Sequence, residues 1–162
     1  MYNKLLVILL CLFSISVNTY ATAQYPDKII YNGTEYDLFV NPLEKYFLIN
    51  PDKRPKGKIT STALWRGYIA TFEIIDGKLL LKDIEIQIST GLFPSIEYEW
   101  KSVLSEFLDG QSYFNMDWFS GLLVIPYGKL INYVHMGYES TYEDYILLEI
   151  ENGKFISEKM KN

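Results

Sequence analysis

Two groups of side chains in this sequence are of the right type and spacing to do chemistry. The first is Arg66, Tyr68, Asp83 and Glu85, which flank the dipeptide Asp76-Gly77. Asp-Gly between apolar runs is a strong signal for a two-residue hairpin loop of type I′. With that loop, Ile75 faces Lys78, and the four residues fall at the polar end of one hairpin face. An arginine fork beside a tyrosine hydroxyl can hold a carboxylate by two parallel hydrogen bonds, which would make this face a pocket floor. The same residues also read as a cross-strand ion pair at a sheet rim, Arg66 to Glu85 on the diagonal.

The second group lies in Tyr127–Tyr145, which holds five tyrosines and His135, the only histidine of the chain. His135, Tyr138 and Tyr142 are its candidate binding residues, in the polar-aromatic loop His135–Asp144. Tyrosine joins a large apolar ring to a polar tip, which suits recognition surfaces. The same rings could simply pack at a sheet edge. His135 beside Ser140 or Tyr138 could serve as a general base, although no nucleophile motif surrounds it.

Other chemistries find less support. A single histidine leaves no conventional zinc site. Glu139, Glu143 and Asp144 are close together but lack the alternation and glycine of an EF-hand loop. Phosphate-loop, dinucleotide and G-x-S-x-G patterns are missing, so no cofactor is implied. Paired carboxylates can hydrolyse glycosides, but among 20 acidic residues spacing singles out no pair.

The elements that must position these residues are mostly strands. Leu64–Ile88 reads as two long strands about Asp76-Gly77. Each of its faces changes polarity midway, which predicts a bulge or sharp twist near Gly67–Ala70. Asn32-Gly33 joins strands at Lys28–Tyr31 and Glu35–Phe39, and Asn152-Gly153 joins Tyr145–Glu151 to Lys154–Lys159. Trp118–Ile125 and Leu130–Val134 read as a further pair about Pro126–Lys129. A short helix should start at Asn41-Pro42, with Asn41 as cap, and end at Asn50-Pro51. After it, Pro51–Lys58 is a basic, Pro- and Gly-punctuated loop. A longer amphipathic helix is expected over 95–109, because Ile96, Trp100, Val103, Leu104, Phe107 and Leu108 form one stripe at helical spacing. The fold class is therefore α+β with β dominant: a curved antiparallel sheet or partial barrel built from hairpins, covered by that one helix.

The 162 residues suffice for one domain. Residues 1–23 read as a secretory signal peptide. Lys4 is its positive start, Leu5–Val17 its apolar run, and Ala21-Thr22-Ala23 its cleavage site. The run is too short for an anchoring span, so residues 24–162 would form a single globular domain with no membrane anchor. Cleavage would remove Cys11, leaving a mature chain without cysteine and so without disulfides. It would also leave 14 basic against 20 acidic residues, a net of −6. That sign disfavours nucleic acid and anionic membranes as partners. Export without disulfides suits a bacterial periplasmic or secreted protein.

Thr62–Ile74 (TALWRGYIATFEI), Asp117–Gly121 (DWFSG) and His135–Tyr138 (HMGY) together resemble a family of uncharacterised small secreted bacterial proteins. That resemblance implies a bacterial origin and carries no activity or functional residue with it. From the residues themselves, the expectation is an exported binding or interaction domain of the cell envelope. Its partner would be a protein, such as a toxin met by an acidic immunity-like protein, or a glycan. The alternative is a small envelope hydrolase using carboxylates or His135.

Overall fold

The structure is a computed structural model and describes residues 22–91, 95–108 and 110–162. The leader reading falls almost wholly on residues 1–21, outside the described residues. The elements are β1 (Asp27–Tyr31), β2 (Thr34–Leu38), α1 (Leu43–Ile49), β3 (Tyr68–Ile75), β4 (Lys78–Thr90), β5 (Glu97–Ser102), β6 (Phe114–Asn115), β7 (Gly121–Asn132), β8 (Thr141–Glu151) and β9 (Lys154–Lys161). The fold is β-dominant, as expected. Its strands run in the order β2-β1-β3-β4-β9-β8-β7, with β5 and β6 also pairing β4. The sheet is mixed rather than purely antiparallel, because β1 lies parallel to β3. It does not close into a barrel.

All three Asn/Asp-Gly turns form hairpins. Asn32, Asp76 and Asn152 each adopt φ near +50°, and the glycine that follows each is also left-handed. That is the type I′ geometry whose twist matches the flanking strands. In the central hairpin Ile75 pairs with Lys78, and this register holds as far as Phe72 opposite Leu81. A bulge follows between Thr71 and Phe72, slightly beyond the expected Gly67–Ala70, and Lys82 is the extra residue. The insertion keeps one face apolar along its whole length. Tyr68, Ala70, Phe72, Leu79, Leu81, Ile84 and Ile86 all point into the core.

The described residues of the expected helix, 95–108, are not helical as a whole. Glu97–Ser102 is strand β5 on the far half of β4, with Trp100 opposite Gln87, and only Leu104–Glu106 makes a helical turn. Val103 and Phe107 are buried, but Ile96 and Trp100 are about half exposed. The stripe has a second reading: Glu97-Tyr98-Glu99-Trp100-Lys101 alternates at the strand period. The edge of the 13-residue β4 opposite β3 is taken by β6 and β9 only at Lys78–Leu81, and beyond them it offers open backbone groups. Pairing with them overrides a weak helical preference. Trp100→Ala is therefore expected to change stability by under about 1 kcal/mol, measured by urea unfolding; a loss of several kcal/mol would mean the ring is packed in solution.

Two other segments differ from expectation. Trp118–Val134 is not a hairpin: β7 is one strand that pairs with β8 and bulges at Tyr127–Leu130. Pro126 and Gly128 lie within it, tolerated because β7 ends the sheet and needs donors on one side only. Asn41 does not cap α1; its side chain is used elsewhere, and the helix begins without a side-chain cap. Leu43 and Phe47 fasten α1 to the core.

Candidate functional site

Arg66 ends the turn that leads into β3 and points inward, where it is 4% exposed. A buried guanidinium needs a counter-charge and several acceptors. Asp27, the first residue of β1, supplies the charge: its Oδ2 lies 2.9 Å from Arg66 Nη1. That contact is poorly aligned for a hydrogen bond, so the pairing is chiefly Coulombic. Nη1 donates to Asn41 Oδ1, and Nη2 donates to the Tyr25 carbonyl at 2.7 Å. The guanidinium sits 5.2 Å from the centre of the Tyr68 ring, a cation–π distance.

The network extends on both sides. Tyr68 donates its hydroxyl to Glu44 Oε1 at 2.7 Å, and Arg54 clamps both oxygens of Glu44 at 3.1 and 2.7 Å. Tyr138 donates to Asn41 Oδ1 at 2.8 Å, and its ring stacks on Phe39 at 5.0 Å. Tyr142 meets Phe39 edge-on. Burial pushes the Asp27 carboxyl up to about 6, against the pull of Arg66 and of the Ala70 N–H it accepts at 3.0 Å. Burial likewise raises the Tyr68 hydroxyl far above its ordinary value and raises Tyr138 and Tyr142. For Glu44 burial acts upward, but the hydrogen bonds from Arg54 and Tyr68 outweigh it, and the carboxyl is held low.

The structure thus keeps Arg66, Tyr68 and Tyr138 in one network, joins Tyr142 to it through Phe39, and separates the rest. Asp83 and Glu85 do not share the Arg66 face. The Lys82 bulge moves Ile84 and Ile86 to that face, so Asp83 and Glu85 turn to the other side. Asp83 there accepts from Ser102 Oγ at 2.5 Å. The Arg66–Glu85 diagonal is replaced by Arg66–Asp27. His135 is exposed and touches Tyr133 at 3.4 Å, while the Ser140 hydroxyl bonds to the backbone of Val134. Asp27, Asn41 and Glu44 are the members that sequence reasoning missed. One signal was available for Asp27: it precedes the alternating Lys28–Tyr31 at an inward position, and an acid there requires a partner.

Arg66 and Tyr68 are interior groups closed off by their own partners. The surface is open elsewhere. Along the second half of β7 and the loop after it, Tyr127, Leu130, Ile131, Tyr133 and Met136 are 43–66% exposed. Their base is fastened by Tyr138 on Asn41 and by a parallel bridge between Gly137 and Ala23. A separate open depression of about 600 Å³ is lined by Thr22, Gln24, Ile59–Thr62 and Trp65. Among the described residues, no group of three or more His, Cys, Asp or Glu could hold a metal ion, and no helix is long and apolar enough to cross a membrane. No family model matches the chain, and neither a curated protein nor a solved structure matches it.

Proposed function

We propose that this chain is an exported binding domain of the bacterial cell envelope and that it engages a protein through its tyrosine-rich end. The observation that carries this is the run Tyr127–Met136, where five large apolar side chains stand in solvent on a base held to the core. Fixed aromatic and aliphatic groups lose little entropy on binding, which is the character of interface hot spots. Leucine, isoleucine and methionine among the tyrosines suit a protein better than a glycan, whose sites rely on flat rings flanked by polar side chains. The hydrolase reading has less behind it, because the serine nearest His135 in sequence, Ser140, has its hydroxyl occupied by the backbone of Val134.

Affinity capture from envelope extract, with the native chain and an Ile131→Asp/Tyr133→Asp variant as baits, tests the proposal. Both substitutions replace exposed groups, so folding should survive. The variant should bind its partner at least about tenfold more weakly, since central hot spots contribute ~2 kcal/mol or more. A partner held equally by both baits would place the surface elsewhere, and capture of a glycan alone would remove the protein assignment. Turnover in a hydrolase screen, abolished by His135→Ala, would replace binding with catalysis.

A further inference from the structure

Strand β5 is fully solvent-facing: all six residues from Glu97 to Ser102 are exposed. Only β4 pairs with it among the described residues, so its outer edge is open. An open edge offers a row of backbone donors and acceptors to another strand. Which residues offer them follows from one bond. Val103 N–H donates to the Ile84 carbonyl at 2.8 Å, in register with Ser102 opposite Glu85. Backbone groups alternate sides along a strand. Glu97, Glu99 and Lys101 therefore spend theirs on β4, and Tyr98, Trp100 and Ser102 turn theirs outward.

We infer that this edge pairs with β5 of a second copy of the chain, antiparallel about a two-fold axis at Trp100. Only registers that bring outward residues opposite one another make hydrogen bonds, and charge selects among them. Centring on Trp100 sets Trp100 against Trp100 of the other copy and Tyr98 against Ser102 on one face. On the other face Glu99 stands against Lys101, twice by symmetry. These charge pairs occupy the non-hydrogen-bonded positions, where side chains approach most closely. Sliding one step opposes Lys101 to Lys101 in one direction and Glu99 to Glu99 in the other, where two Glu97–Lys101 pairs offset it only in part, and like charges directly opposite are unfavourable. The centred register gains about six backbone hydrogen bonds, an aromatic pair and two ion pairs. It is a surface distinct from the tyrosine-rich end, and does not rest on the binding proposal.

Sedimentation equilibrium of the purified chain and of two single variants decides the matter. The native chain should associate to a dimer at concentrations up to about 1 mM, the range suited to a small interface. Glu99→Lys faces lysine with lysine and Lys101→Glu faces glutamate with glutamate, so each should weaken the dimer at least about tenfold. Mixing the two variants places lysine opposite glutamate at both sites again, and the mixture should form a heterodimer of near-native affinity. A native chain that stays monomeric throughout, or a mixture no tighter than its components, would overturn the inference.

Discussion

Replacing Arg66 with methionine is expected to lower stability by roughly 3–5 kcal/mol. Methionine fills a similar volume, so the loss reflects charge rather than a cavity. Asp27 would remain fully buried without its cation, and the Tyr25 carbonyl would keep only the longer bond from the Tyr138 hydroxyl at 3.4 Å. The effect should depend on pH in a defined sense. In the native chain the Asp27 carboxyl is held at about 6, above its ordinary 3.8. A carboxyl raised on folding favours the folded state fully below 3.8, and that contribution is lost as pH rises through about 6. Without Arg66 the folded value climbs further, so the deficit should be modest at pH 5 and larger at pH 8. Adding Asp27→Asn to Arg66→Met should recover part of the loss, because no charge is then stranded. Urea unfolding of the native chain and the two variants at both pH values measures this. A loss under about 1 kcal/mol with no pH dependence would show that water reaches the pair.

Phe47→Ala should cost about 3–5 kcal/mol, as large aromatic truncations in a core do. A seven-residue helix such as α1 has no independent stability. Leu43 and Phe47 are its buried anchors, and the Phe47 ring meets Tyr68 edge-on at 5.4 Å and Phe107 at 6.0 Å. Arg54 lies 5.1 Å over the same ring while clamping Glu44. Removing the ring therefore loosens the clamp as well as the helix, and Tyr68 loses a well-held acceptor. Ile49, on the same helix but 80% exposed, is the control, and Ile49→Ala should stay within about 0.5 kcal/mol. Thermal unfolding followed by near-ultraviolet circular dichroism reports both. Equal effects at 47 and 49 would mean that α1 is not docked.

The turns were legible in the sequence because two adjacent residues suffice to specify them. Asn or Asp before Gly supplies the positive φ angles, and no distant contact is consulted. Longer elements were legible only where one periodicity stood alone. Residues 95–109 carry a helical stripe and a strand alternation together, and the open flank of β4 settles the choice. Pro126-Tyr127-Gly128 has turn chemistry, yet β8 runs alongside and holds the segment extended, so it bulges instead of reversing. The candidate site depended on the least local feature of all. Arg66 and Tyr68 could be paired from their spacing, but one inserted residue, Lys82, carried Asp83 and Glu85 to the opposite side. Asp27, Asn41 and Glu44 took their place from segments far away in sequence, and Asn41 looked like an ordinary helix cap.

The joint between β4 and β9 has a consequence for how the chain assembles. It consists of one residue pair, Lys78 with Lys154, and two backbone bonds that link the turn glycines, Leu79 N–H to Gly153 and Phe155 N–H to Gly77. On one side, β7, β8 and β9 form a meander of consecutive strands. On the other, β1 to β6 gather around the central hairpin. Each group can form largely from neighbours along the chain, which keeps the search short. The two groups meet where Phe39 N–H, just after β2, donates to the Val124 carbonyl of β7 at 2.8 Å, and at the two hairpin tips. Gly153 marks the place: a side chain there would stand 2.8–2.9 Å from the backbone of Met116 and Asp117. A glycine at the tip of the β8–β9 turn thus lets that turn close against both β4 and the connection from β6 to β7.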